Sequence, residues 1–193
     1  MSDQPFRILA ISGSLRRGSH NTAALRAAAE LAPEGVTVEL YGGLRDIPPY
    51  DDDLRTGSGY PAPVQALREA VAAADALLIA SPEYNYSVSG VLKNAIDWVS
   101  RPPAQAFDGK PVAVLGAATG LLGTARMQYD LRRILAGLNA FVLNKPEVMI
   151  MQSANRFDAD GRLTDEATRT LLAAQVAALR DWALRLRRGA AAG

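Results

Sequence analysis

Short apolar runs that stop at a small residue and give way to a helical pattern, repeated along the whole chain, constrain this sequence more than any other feature. Ile8–Ser12 is almost wholly apolar and ends at Gly13, which suits a strand buried on both faces of a parallel sheet. Ala76–Ala80 and Pro111–Leu115 repeat the pattern. Val36–Tyr41 alternates with β-branched residues, and Ala140–Leu143 together with Val148–Met151 supplies a last strand. Helical stretches fall between them over Asn21–Ala32, Val64–Ala74, Gly90–Ser100 and Thr124–Leu138, and a final one covers Thr164–Arg187. In that last stretch Leu172, Val176, Leu179, Ala183 and Leu186 recur every three or four residues, so its role is packing.

Strict alternation of strand and helix predicts a parallel sheet covered on both faces. The expected fold is α/β, a flavodoxin-like three-layer sandwich with a five-stranded sheet of order 2-1-3-4-5. A chain of 193 residues, 49% of them hydrophobic, fits one domain over residues 1–193. A formal charge of +1, with no basic stripe, makes nucleic acid a poor partner. No apolar run reaches membrane-spanning length, and Met1–Arg7 lacks the basic and apolar regions of a secretory leader, so the expected location is cytoplasmic. The chain has no cysteine and a single histidine, His20. Thiol redox chemistry and histidine-rich or thiolate metal sites are thereby excluded, and electron transfer would need a bound cofactor.

Ligands in this architecture bind beyond the carboxyl ends of the strands, which here carry residues 12–21, 81–89 and 116–123. The first segment, Gly13-Ser-Leu-Arg-Arg-Gly-Ser-His-Asn21, has the composition of a phosphate cradle at a helix N-terminus. Ser14, Ser19, Asn21 and Thr22 offer side-chain donors, and Arg16 or Arg17 a charge-assisted contact. The Gly13-x4-Gly18 spacing imitates a Walker loop, but Ser19 and His20 stand where that loop needs Lys and Ser/Thr. Gly-x-Gly-x-x-Gly is also absent, so a mononucleotide phosphate is the better fit. His20 could touch a ligand, but a lone histidine in such a loop is more often a capping or surface residue. The second segment, Ser81-Pro-Glu-Tyr-Asn-Tyr-Ser87, sets two tyrosines, an amide and hydroxyls at the end of a buried strand. Backbone N–H groups from Asn85 to Ser87, with Tyr84 or Tyr86 alongside, suit the polar edge and flat face of an isoalloxazine ring. The two segments together point to FMN.

Gly13-Ser-Leu-Arg-x-Gly-Ser-x-Asn21 and Ser81-Pro-Glu-Tyr-Asn-Tyr-Ser-Val-x-Gly-x-Leu-Lys-Asn-Ala-Ile-Asp-Trp98 resemble the NADPH-dependent FMN reductase family, in its branch of quinone, chromate and azo-dye reductases. The similarity covers roughly residues 6–180 by strand order and motif. It implies non-covalent FMN, NADPH or NADH as donor, and a homodimer or homotetramer with sites near the subunit interface. By position it makes Ser14, Arg16, Ser19 and Asn21 phosphate ligands and Pro82, Glu83, Tyr84, Asn85, Tyr86 and Ser87 the ring-binding loop. Thr119 and Gly120, in the turn Gly116–Gly123, would lie beside the flavin. Two departures stand out: Ser89 where many relatives have proline, and Thr124-Ala-Arg126 in place of a more glycine-rich stretch.

The activity implied is a two-step exchange, NAD(P)H first and then a quinone, flavin, azo compound or metal oxyanion, with no catalytic side chain and no metal. The alternative is a flavodoxin-type electron carrier or a flavin-responsive binding module, although a carrier would present a strongly acidic face. Lys93, Asn94 and Asp97 read as a solvated helix face, and Trp98 fits a core or a subunit contact equally. The Gly/Pro/Asp-rich segment 42–63, including Asp51–Asp53, reads as a long loop with a solvated turn.

Overall fold

The computed structural model describes residues 5–191; the leader expectation for Met1–Gln4 lies outside them. Strand β1 (Phe6–Ser12) leads into helix α1 (His20–Glu30), β2 (Val36–Leu40), α2 (Asp52–Ser58) and α3 (Ala62–Ala73). Then come β3 (Ala76–Ala80), α4 (Gly90–Val99), β4 (Pro111–Ala117), α5 (Ala125–Gly137), β5 (Phe141–Val142), β6 (Val148–Ile150) and α6 (Glu166–Ala191). All the pairings are parallel, in the order β2-β1-β3-β4-β5, with β6 also on β4. The expected order therefore holds. The fifth strand is broken, because residues 143–147 stand opposite only Ala113 and Val114 of β4 between the β5 and β6 pairings. Pro146, which has no N–H to give a ladder, falls in that interruption.

Period-two alternation divides the apolar side chains between two cores. Ile8 and Ala10 of β1 and Leu78 of β3 join Ala24 of α1 and Leu172, Val176 and Leu179 of α6 on one face. Leu9, Ile11, Leu77 and Ile79 meet Val64, Leu67, Ile96, Trp98 and Leu131 from α3, α4 and α5 on the other. Full burial of each such side chain contributes roughly 1.5–3 kcal/mol, so the sheet is a rigid base for the loops at its carboxyl edge. Four of the five alanines of α1, Ala23, Ala24, Ala27 and Ala28, are buried and let that helix approach the sheet closely.

Three expectations change. Segment 42–63 contains a helix, α2, and the aspartates begin it: Asp51 accepts from the N–H groups of Asp53 and Leu54 as N-cap. No residue of α2 is buried, so it carries no apolar period to read. Asn94 is not merely solvated, since its amide donates to Pro48 O and accepts from Tyr50 N, both at 2.8 Å. Trp98 is a core residue whose indole N–H reaches the same Pro48 carbonyl, so α4 fastens the segment that crosses it.

Candidate functional site

The carboxyl ends of β1, β3 and β4 and the turn after β6 enclose a cleft of about 220 Å³. Ser14, Arg16, Ser19, His20 and Asn21 line it from the first loop, Pro82, Glu83 and Tyr84 from the second, Ala117–Thr119 from the third, and Ser153 from beyond β6. A larger groove of 720 Å³ opens at the amino ends of β3 and β4. It lacks the helix N-terminus that the smaller cleft possesses, so the smaller one is the better anion site.

Both loops are held together before any ligand is considered. Gly13 N donates to Ala80 O at 2.7 Å, and Ser89 Oγ donates to Gly13 O at 2.6 Å while capping α4. A Cβ on Gly13 would stand 2.8 Å from Ser89 Oγ and 2.9 Å from Ser81 Oγ, so the approach requires glycine. Ser89 thus ties the first loop to the second.

Ser19 is the N-cap of α1, its Oγ accepting from Thr22 N at 3.2 Å. As the first residues of the helix, His20 and Asn21 keep backbone N–H groups without intrahelical partners. Ser14 and the exposed Arg16 complete a converging donor set. Two expected ligands have other duties. The buried Asn21 side chain donates to Ala117 O at 3.0 Å and accepts from Ala117 N at 2.9 Å. Ala117 lies two residues past the last β3–β4 pair, so the Asn21 amide takes the place of a missing strand. Thr22 lies outside the cleft lining, its hydroxyl 2.8 Å from Ser12 Oγ.

The second loop is a tight hairpin. Tyr84 and Ser87 exchange N–H···O bonds of 3.1 Å each, and Asn85 and Tyr86 between them have φ of 49° and 70°, the signs of a type I′ turn. Ser87 N–H, expected at the ring, is therefore committed to Tyr84. Among the described residues Asn85 and Tyr86 N–H have no protein partner at the hairpin tip. A left-handed Tyr costs about 1–2 kcal/mol. The Arg126 guanidinium lies 3.7 Å from the Tyr86 ring centroid and helps to offset that cost.

Glu83 also has a structural duty. Thr124, before α5, makes no side-chain cap. Glu83 Oε2 accepts from Arg126 N at 3.1 Å and Met127 N at 3.2 Å instead, and its other oxygen pairs with the Arg126 guanidinium. Arg126 thus supplies the cation that anchors the hairpin. Thr119 lines the cleft, whereas Gly120, Asn85, Tyr86 and Ser87 do not; Gly120 offers its carbonyl to Gln152 N at 3.0 Å.

His20 is no simple surface residue. Its Nδ1 is 2.8 Å from Ser153 Oγ and its ring stacks on Phe157, centroids 4.7 Å apart and planes 5° from parallel. Burial, then the charge of Arg16, pushes its pKa below the ordinary 6.5. Ser153 and Phe157 were not singled out from sequence, although the turn after the last strand obeys the same carboxyl-end rule as the other loops.

A family profile described as NADPH-dependent FMN reductase matches residues 6–155. An NAD(P)H-dependent FMN reductase of Pseudomonas aeruginosa is 54% identical, the alignment covering 97% of this chain and 100% of the relative. A quinone reductase of Escherichia coli is 42% identical over 95% of this chain and 98% of its own length. The solved structure of FerB, a flavoenzyme NAD(P)H:(acceptor) oxidoreductase from Paracoccus denitrificans, superposes with a TM-score of 0.83 at 36% identity, covering 93% of this chain and 97% of that one.

Proposed function

The chain belongs to the NADPH-dependent FMN reductase family, and on that premise we propose that it is an NAD(P)H-dependent FMN and quinone reductase. The observation that carries the reading is the convergence, across one cleft, of the unpaired start of α1 with Pro82–Tyr84, the base of a hairpin whose tip, beyond the cleft lining, keeps two free N–H groups. The donor set fits the cofactor. Ser14, Arg16 and Ser19, with the N–H groups of His20 and Asn21, hold the phosphate monoester. Asn85 and Tyr86 N–H face the polar edge of the ring, Tyr84 and Pro82 flank it, and Thr119 closes the side formed by the third loop.

Bound FMN would supply the redox chemistry, a two-electron, hydride-level exchange between NAD(P)H and a quinone, with the further proton of the hydroquinone drawn from solvent. The protein holds both partners in turn within roughly 3–3.5 Å of the ring. Tyr84 and Tyr86 are 51% and 68% exposed, an open rim that accommodates flat acceptors of several kinds, azo compounds included, and leaves metal oxyanions access. Leu121, Leu122 and Tyr129 are also exposed beside that rim, an apolar surface that fits a second copy of the chain.

Anaerobic stopped-flow mixing of the FMN-loaded protein with NADPH, and then NADH, tests the activity. Bleaching far faster than that of free FMN is expected, and bleaching at the free-flavin rate refutes the reductase reading. For the phosphate site, Arg16→Ala with Ser19→Ala is expected to weaken FMN binding by about ten- to a hundredfold, the loss of charge-assisted and neutral hydrogen bonds. Unchanged affinity would remove the phosphate from this cleft.

A further inference from the structure

We propose that His20 captures a proton together with the cofactor's phosphate, the imidazole being neutral when the cleft holds no anion and becoming imidazolium when the monoester enters. The inference rests on the FMN reading above and goes beyond it, because it assigns a charge state and a proton to the binding step.

The geometry is that of a titratable ring kept in place in either state. His20 lines the cleft alongside Ser14, Arg16 and Ser19, and Phe157 fixes its plane. Its Nδ1 partner is the hydroxyl of Ser153, a group that donates to a neutral imidazole nitrogen and accepts from a protonated one. Protonation therefore breaks no hydrogen bond. Nε2 has no protein partner among the described residues, which leaves one ring nitrogen for an incoming oxygen.

The surrounding charges set the direction. Arg16 and Arg17 come from the first loop, Arg26 from α1, Asp158 and Asp160 from the turn beyond Phe157, and Glu83 from the hairpin. Glu83 is occupied with α5 and Arg126, while Asp158 accepts from the N–H groups of Asp160 and Arg162. Partial burial and then the charge of Arg16 disfavour the cation. A phosphate dianion beside Arg16 reverses that field, since an opposite charge within about 4–6 Å favours the protonated ring. By linkage, FMN then binds more tightly as pH falls through the pKa of the bound-state imidazole towards that of the free one. The monoester's own protonation, near pH 6, runs the other way.

His20 is the chain's only histidine, so its ring signals in a proton–nitrogen NMR titration need no assignment. In wild-type protein freed of flavin the ring should titrate below 6.5, and in the FMN-loaded protein at least about one pH unit higher. Riboflavin, with the same ring system and no phosphate, should leave the titration unmoved. Coincident curves with and without FMN, or an equal displacement by riboflavin, overturn the proposal. In a second arm the FMN-loaded protein is diluted and recovered flavin fluorescence gives Kd against pH. Between pH 8 and 6.5 the wild type should tighten roughly two- to fivefold relative to His20→Gln; parallel curves overturn the proposal. Failure of the wild type to bind FMN at any pH would instead overturn the cofactor reading itself.

Discussion

Replacing Asn21 by alanine separates two roles that its position allows, phosphate ligand and structural tie. The side chain is 4% exposed, and its amide makes bonds of 3.0 and 2.9 Å to the carbonyl and N–H of Ala117, itself 5% exposed. Asn21→Ala leaves both backbone groups unpaired. Each buried orphan costs about 1–3 kcal/mol, and water admitted from the adjoining cleft recovers part of that, so the net loss is about 2–4 kcal/mol. For a chain of this length 1 kcal/mol moves Tm by about 2–4 °C, which places the flavin-free variant roughly 5–12 °C below wild type. Calorimetric melts with and without FMN give the discrimination. A structural tie lowers Tm by a similar amount in both, whereas a pure ligand lowers only the FMN-loaded value. A flavin-free Tm within about 1 °C of wild type would refute the tie.

The Glu83 carboxylate replaces a cap for α5 and meets a helix N-terminus. Glu83→Ala is accordingly expected to cost about 2 kcal/mol, or 4–8 °C of Tm, and to loosen the hairpin, read as weaker FMN binding; an unchanged Tm would show that α5 needs no cap from this loop. Asp165, at the start of α6, accepts from the Thr168 hydroxyl and N–H and pairs with Arg156, and these hold its carboxyl below the usual 3.8. Because its folded pKa is depressed, its contribution is present above the unfolded value and lost as pH falls through the folded one. Asp165→Asn should thus lower Tm at pH 7, with the difference from wild type shrinking as pH drops below about 3.8; a difference that persists at pH 2 would exclude the linkage.

The elements that were legible are those whose burial leaves a mark in the sequence. β1, β3 and β4 are wrapped on both faces and read as unbroken apolar runs, so their carboxyl ends, and with them the three loops of the cleft, followed directly. Helix α2 buries nothing and left no such mark. The break in the fifth strand was visible only as two apolar pieces separated by Asn144-Lys-Pro-Glu147.

At the strand ends a different ambiguity governs. A polar side chain there has two possible clients, an arriving phosphate or a backbone group that the sheet has left unpaired, and composition alone does not choose between them. Ser14, Arg16 and Ser19 remain open to the cleft, while Asn21 serves Ala117, Thr22 serves Ser12 and Glu83 serves α5. The choice follows from burial. A buried backbone N–H or C=O must find a partner in the folded chain itself, so the deepest amide and carboxylate are claimed first. Ser19, as buried as Asn21, spends only the acceptor side of its hydroxyl on capping α1 and keeps its O–H to donate, while the shallower Ser14 and Arg16 stay available for a ligand. His20 falls between these groups, one nitrogen engaged by Ser153 and the other free. That divided environment is why its position in the motif left contact with a ligand and a capping or surface place both open, and why its protonation is the property of this site most sensitive to what enters the cleft.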